Sequence, residues 1–133
     1  MQINQKLIKK QFEKSFSSYN QNAIVQKIMA KRLVQNLSSI KTEFNSVLEL
    51  GCGTGILTKE LVKNINFKAY YANDLVEKSK KYIAEIIPNS EFFCGNALKI
   101  KSKRKQDLII SNAMFQWFNN LNNICSHCKK QLN

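Results

Sequence analysis

The sequence predicts an α/β fold in which a mainly parallel sheet lies between two layers of helices. The hydrophobic pattern changes along the chain between a helix-like period and a strand-like period, and a glycine-rich turn follows the first strand-like run. The 133 residues suffice for one ordinary hydrophobic core. Strands that alternate with helices form βαβ units, whose strands pair in parallel. We therefore expect a single domain over residues 1–133.

The amino-terminal part predicts two amphipathic helices. Apolar residues recur at near-helical spacing over 3–16 and again over 23–37. We expect these helices to form a cap over 1–40, followed by a sheet-containing core over 46–133.

The rest of the chain predicts four strands with helices between them. The strand-like runs are 46–50, 67–73, 91–94 and 107–111. The helix-like runs are 56–65, 75–87 and 114–132, the last of them irregular. Pro88 and Asn89 stop the middle helix.

The formal net charge of +12 makes the chain strongly basic. Such a surface attracts a polyanion, whether RNA, DNA or a strongly acidic protein. The alternative is compositional, because the chain is rich in Lys, Asn and Ile and charged runs commonly lie on solvated faces. Charge therefore indicates partners and solubility, and says nothing about the fold.

Neither a leader nor a membrane span is apparent. The opening residues MQINQKLIKK lack the apolar stretch and cleavage site of a secretory leader, and no run of eighteen apolar residues occurs. The four cysteines have no framework spacing, so we expect reduced thiols in a cytoplasmic protein without membrane contact. Cys125 and Cys128 flank His127, but no second cysteine pair is present to complete a zinc site, so we expect no metal.

The segment VLELGCGTG, residues 47–55, places three glycines directly after the first predicted strand. Bare backbone there allows a ligand to approach main-chain nitrogens at the start of the next helix. The dinucleotide pattern G-x-G-x-x-G fails, because Ile56 stands where its third glycine would be and Gly55 comes one place early. A P-loop lysine is also missing, so the pattern disfavours a pyrophosphate and favours a nucleoside held by backbone contact.

Asp74 comes at the end of the second predicted strand, about twenty residues after the glycines. A carboxylate at this place can accept hydrogen bonds from both hydroxyls of a ribose. The alternative is that Asp74 caps the helix predicted to begin at Leu75.

The motif ELGCGTG together with Asp74 resembles motif I and the second-strand acid of the class I S-adenosylmethionine-dependent methyltransferases. More narrowly, the chain resembles the malonyl-acyl-carrier-protein O-methyltransferases of biotin synthesis. That likeness lies in FEKSFSSYNQNAIVQKIMAKRL, VLELGCGTGILTKEL and DLIISNAMFQWF, and it extends over essentially all 133 residues. It implies a Rossmann-like fold, S-adenosylmethionine as cofactor, and methylation of the free carboxyl of a malonyl thioester.

The resemblance also implies which residues surround the cofactor. They are Tyr19, Glu49, Gly51, Cys52, Gly53, Gly55, Asp74, Leu75, Asn96, Ala97 and Asn112. Glu49 and the glycines would surround the methionine half, Tyr19 would close over it, and Asp74 would hold the ribose with Leu75 beside the adenine. Asn112 would line the cofactor and substrate side.

Two positions depart from the family's pattern. Asn96 stands where Asp is usual, so it can still accept a hydrogen bond from the adenine amino group but lacks the charge, a loss on the order of 1 kcal/mol. Asn20 replaces the Asp that usually follows Tyr19.

The relatives resembled here have a seven-stranded sheet, whereas this chain stops where the turn into the fifth strand is expected. We therefore expect the first four strands only, a product truncated at its carboxyl terminus, with the fourth strand as an exposed edge. The sequence assigns no residue to the binding of the methyl acceptor. Trp117 has two alternative roles, as part of the core or as a wall of the acyl chamber.

Three functional hypotheses remain. The first is methylation of malonyl-acyl carrier protein, an acidic partner that suits the positive surface. This reaction depends more on positioning of the reactants than on acid or base catalysis, because the carboxylate that accepts the methyl group is already ionised. The second is a nucleic-acid methyltransferase, disfavoured because residues 112–115 lack the two prolines of the loop found in amino-methylating members. The third is a remnant without catalysis.

Overall fold

The computed structural model describes residues 6–10, 24–112, 114 and 118–133 of the chain. Residues 6–10 are helical. The remaining elements, in chain order, are α1 (Ile24–Ile40), β1 (Glu43–Leu50), α2 (Ile56–Asn64), β2 (Asn66–Asp74), α3 (Ser79–Ile86), β3 (Glu91–Cys94), a 3-10 turn (Ala97–Lys99), β4 (Leu108–Ser111) and α4 (Leu121–Gln131).

The four strands form one parallel sheet in the order β3-β2-β1-β4. The chain moves outward from β1 through β2 to β3 and then returns to the other side of β1. The carboxyl ends of β1 and β4 therefore form a topological switch point, the usual place for a ligand in an open α/β sheet. In β1, Val47 lies opposite Tyr70 of β2 and Leu108 of β4.

Helices cover both faces of this sheet, as the alternating pattern predicts. Successive residues of a strand point to opposite faces, and Val47 and Leu48 accordingly belong to two different hydrophobic clusters. The first cluster contains Ala30 and Val34 of α1, and the second contains Ile124 of α4. The last five residues of β1 are all buried because both faces are covered.

The strand β4 lies at one edge of the described sheet, as predicted. The segment that leads into β4 pairs with the last residues of the chain through a parallel bridge. The N–H of Gln106 donates to the carbonyl of Gln131 at 2.7 Å, and the N–H of Asn133 donates to the carbonyl of Gln106 at 2.9 Å. The residues after α4 therefore run parallel to the segment that enters β4.

Two predicted helices begin later than the sequence pattern indicates. Residues 75–78 form a turn before α3, and residues 118–120 precede α4 without helical structure. Asn120 is the physical start of α4, because its side-chain oxygen accepts the backbone N–H groups of Asn122 and Asn123. The helix predicted over 3–16 lies partly outside the described residues.

The four cysteines are free thiols, with Cys52 and Cys128 buried and Cys94 and Cys125 exposed. The ring Nε2 of His127 lies 2.8 Å from the carbonyl oxygen of Ile100, so it serves a structural contact. The described residues contain no cluster of potential metal ligands. Within the same ranges, every helix is too short or too polar to cross a membrane.

Candidate functional site

A left-handed glycine turn joins β1 to α2 at the switch point. The φ angles of Gly51, Gly53 and Gly55 are 70°, 54° and 91°, a region that side chains disfavour. Space is also restricted. A Cβ on Gly55 would lie 2.5 Å from the Cδ1 of Ile86, and one on Gly51 would lie 2.8 Å from the Sδ of Met114. Backbone conformation thus favours glycine at all three positions, and the Cβ, Cγ and Sδ atoms of Met114 also leave little space for a side chain at position 51.

Asp74 connects this turn to the end of β2. Its Oδ2 accepts the backbone N–H of Gly53 at 2.7 Å, and its Oδ1 accepts the N–H of Val76 at 3.0 Å. Burial raises the pKa of Asp74, and the backbone hydrogen bonds oppose that rise. These two bonds occupy two of the roughly four acceptor sites of a carboxylate.

The sequence also allowed that Asp74 caps a helix beginning at Leu75, and the structure shows a related but different contact. The carboxylate does accept a backbone N–H two residues further on, but in the turn that precedes Ser79, where α3 begins. Asp74 therefore shapes the turn after β2 without starting a helix at Leu75.

Asn73 is a site residue that the sequence reasoning missed. It is fully buried, and its Nδ2 donates to the carbonyl groups of Phe93 at 3.0 Å and Gly95 at 2.9 Å. Its own carbonyl accepts the N–H of Cys52 at 2.9 Å. Its side-chain amide thereby joins the end of β2 to β3, and its backbone carbonyl joins β2 to the residue after Gly51. The available signal was a polar side chain that ends the apolar run in AYYAND.

The segment after β3 leaves an open space beside Asp74. Gly95 has a φ of 141°, and a Cβ added to it would meet nothing within 4 Å. The N–H of Gly95 donates to the carbonyl of Asp74 at 2.9 Å. Asn96 caps the 3-10 turn, with its Oδ1 accepting the N–H of Leu98 at 2.9 Å, and Ala97 is buried in the second cluster.

Two clefts meet at Gly51. The larger is lined by Ile8, Gly51, Asn73, Asp74, Leu75, Gly95, Asn96, Ala97, Met114 and Phe118. The smaller is lined by Gln26, Glu49, Gly51, Cys52, Gly53, Ile56, Leu57 and Asn112. The fold therefore brings nearly all the described candidate residues into two adjoining spaces; Gly55 lines neither and serves the turn itself.

The side chain of Glu49 is almost completely buried. Its carboxyl Oε1 accepts hydrogen bonds from the hydroxyl of Thr58 at 2.5 Å and from the hydroxyl of Tyr70. Burial is the main cause that raises its pKa to about 7. The carboxyl group thus joins β1 to α2 and β2 behind the glycine turn. Burial also raises the pKa of the Cys52 thiol well above its ordinary value, so this thiol stays protonated.

Asn112 links the end of β4 to the amino-terminal helix. Its Nδ2 donates to the carbonyl of Gln26 in α1 at 3.0 Å. Both residues line the smaller cleft, so α1 forms one of its walls. Tyr19 and Trp117, which the sequence also singles out, lie outside the described residues.

Comparison with known proteins agrees with this geometry. Residues 47–133 match a family described as a methyltransferase domain. Over 137 aligned residues the chain is 41% identical to a malonyl-[acyl-carrier protein] O-methyltransferase of Priestia megaterium, a match that covers 98% of this chain and 48% of that protein. The protein of the same name from Haemophilus influenzae is 33% identical, with 98% of this chain and 51% of that protein covered. The chain thus spans about half the length of the curated relatives it matches.

A solved structure shows the same fold. The N-methyltransferase NodS from Bradyrhizobium japonicum superposes with a TM-score of 0.77 at 13% identity, covering 94% of this chain and 67% of that one. This similarity, the parallel sheet and the glycine turn at its switch point agree with the sequence match. The chain belongs to the methyltransferase-domain family, with the Rossmann-like fold of its class I members.

Proposed function

We propose that the chain binds S-adenosylmethionine in the two clefts that meet at Gly51. The observation that carries the proposal is the position of Asp74, whose carboxylate lies between the left-handed glycine turn and the open space at Gly95. In support, the NodS structure and that of the plantazolicin methyltransferase BpumL both contain S-adenosylhomocysteine, the demethylated form of this cofactor.

The residues of the larger cleft fit the nucleoside half. Asp74 retains acceptor capacity for the ribose hydroxyls, and Leu75 offers an apolar side chain beside the adenine. The side-chain oxygen of Asn96 accepts the N–H of Leu98 and has a second lone pair, so it can also accept a hydrogen bond from the adenine amino group. The methyl side chain of Ala97 occupies little space in the wall of this cleft.

The smaller cleft fits the methionine half. Gly51, Gly53, Asn112 and Glu49 line it, and the carboxyl of Glu49 already accepts hydrogen bonds from Thr58 and Tyr70. We assign Tyr19 to the same half, as the resemblance implies.

We further propose that the methyl group passes to the free carboxyl of malonyl-acyl carrier protein in biotin synthesis, in the cytoplasm. The two relatives at 41% and 33% identity, which carry this activity in their names, support the assignment. The bound cofactor would supply an electrophilic methyl group, and the acceptor carboxylate is ionised at neutral pH. The chain's contribution is therefore to hold the two reactants in line and to exclude water, and no acid or base is assigned.

Two measurements test the proposal. Calorimetric titration with S-adenosylmethionine, on a chain shown to be folded by circular dichroism, should give saturable binding near one site per chain. A methylation assay should then transfer label to malonyl-acyl carrier protein and none to the acetyl form, which lacks the carboxylate. Absence of cofactor binding by the folded chain would refute the first assignment. Binding without transfer to the malonyl form would refute the second.

A further inference from the structure

An amphipathic groove lies between α1 and α2, outside the two clefts described above. It extends along both helices for about two turns, or about 10 Å. Three isoleucines contribute its apolar surface, namely Ile24 and Ile28 of α1 and Ile56 of α2. Ile24 and Ile28 are 66% and 51% exposed, so a partner seated in the groove would bury apolar surface there.

The rim of the groove is basic. Lys27 and Lys31 lie one turn apart on α1, and Lys59 and Lys63 lie one turn apart on α2, all of them exposed. Lys63 is 3.9 Å from Glu60, whereas the other three ammonium groups form no ion pair with any described residue. Glu60 is the single acid among the described residues that line the groove.

The groove leads to the candidate cofactor site. Ile56, the first residue of α2, lines both the groove and the smaller cleft. A partner seated between the two helices would therefore lie next to the space assigned to the methionine half.

We propose that this groove docks an acidic amphipathic helix of the acyl carrier protein, an inference that rests on the proposed function. Carboxylates on that helix would face the four lysines, while its apolar residues would cover Ile24 and Ile28. The apolar residues lining the groove are aliphatic, so it offers no ring on which a base could stack, and this favours a protein over RNA.

The test compares two charge reversals of equal size. Lys27→Glu/Lys31→Glu changes the groove, and Lys101→Glu/Lys103→Glu makes the same change in net charge. Lys101 and Lys103 are exposed in the loop before β4, at the opposite end of the strands. The binding of fluorescently labelled malonyl-acyl carrier protein to the 133-residue chain is measured by anisotropy at low and at physiological salt, and the binding of S-adenosylmethionine is measured in parallel.

We expect the groove variant to lose at least tenfold in carrier affinity and the loop variant less than threefold, with cofactor affinity unchanged in both. An equal loss in both variants would mean general attraction to a basic chain and would overturn the proposal. No loss in the groove variant would overturn it as well. A labelled RNA oligonucleotide that loses affinity only in the groove variant, while the carrier protein does not, would assign the groove to nucleic acid instead.

Glu60→Gln is expected to change carrier affinity in the opposite direction. Because a misfolded variant would not gain affinity, this result would show that the groove itself is responsible. Removal of the groove's acid frees Lys63, so carrier affinity should rise by about twofold to fivefold at low salt. Unchanged or weaker binding would contradict the docking site. If wild-type chain binds the cofactor but no carrier protein, the docking proposal fails alone; if it binds no cofactor, the proposed function fails first.

Discussion

The backbone N–H of Gly53 donates to the carboxylate of Asp74 at 2.7 Å, and this contact joins the glycine turn to the end of the neighbouring strand. Because the same carboxylate also accepts the N–H of Val76, it holds two backbone turns in place around one acceptor group. A residue selected from the sequence as a ligand contact thus also organises the site that would receive the ligand.

We expect Asp74→Ala to weaken S-adenosylmethionine binding by at least tenfold, because both the ribose acceptor and the two backbone contacts are lost. Calorimetry measures the change. Asp107→Ala is the matched control, since Asp107 also accepts a backbone N–H, that of Asn45 at 2.6 Å, but lies at the opposite end of the sheet. Equal cofactor affinity in Asp74→Ala and wild type would contradict the assignment.

Glu49 should make stability depend on pH. Its pKa rises from 4.5 to about 7 on folding, so the folded chain binds the proton more tightly than the unfolded chain does. The free energy of unfolding is then greatest below about pH 4.5 and falls as pH rises to about 7, by about 3 kcal/mol. Urea denaturation of wild type and Glu49→Gln at pH 5 and pH 8 isolates this contribution. Identical changes with pH in the two proteins would show that Glu49 does not titrate in this range.

Alanine substitutions at Gly55 and Gly95 should have different effects on stability and on cofactor affinity. Gly55→Ala places its Cβ 2.5 Å from the Cδ1 of Ile86, and we expect it to cost about 1–3 kcal/mol of stability. Gly95→Ala carries backbone strain but enters open space, so we expect a smaller loss of stability together with weaker cofactor binding. Thermal unfolding and calorimetry on both variants give the comparison. Normal cofactor affinity in a folded Gly95→Ala chain would show that the ligand does not occupy this space.

Asn96→Asp should strengthen S-adenosylmethionine binding by up to about tenfold. The aspartate would still cap the 3-10 turn, as Asn96 does by accepting the N–H of Leu98, and would add a charge-assisted hydrogen bond to the adenine amino group. Calorimetric affinity at constant salt is the measurement. Weaker binding would mean that the amide group of Asn96, rather than its oxygen, contacts the base.

Asn120→Ala should lower the free energy of unfolding by about 1 kcal/mol, because the backbone N–H groups of Asn122 and Asn123 lose their acceptor. Asn120 lines neither cleft, so cofactor affinity should stay within twofold of wild type. Asn122→Ala, an exposed position in the first turn of the same helix, is the comparison, because its backbone N–H keeps Asn120 as acceptor. A loss of cofactor affinity as large as that of Asp74→Ala would connect α4 to the site.

The sequence by itself determined the elements whose pattern is strong over many residues. The parallel α/β arrangement, the glycine turn after β1 and the acid at the end of β2 follow from hydrophobic period, turn chemistry and spacing, which are local properties. The family also follows from the sequence, because motif I places three of the chain's four glycines at alternate positions directly after a strand-like run.

Only the tertiary structure decided which partners these residues have. The sequence could not show that the side chain of Asn73 joins the end of β2 to β3, because its partners Phe93 and Gly95 lie about twenty residues away along the chain. Nor could it show that the carboxyl of Glu49 is turned behind the glycine loop towards Tyr70 and Thr58. The late starts of α3 and α4 involve different contacts: Asp74 accepts the N–H of Val76 in the turn before α3, whereas Asn120 caps α4 directly. Hydrogen-bond partners and burial depend on contacts between distant segments, and those contacts exist only once the sheet has formed.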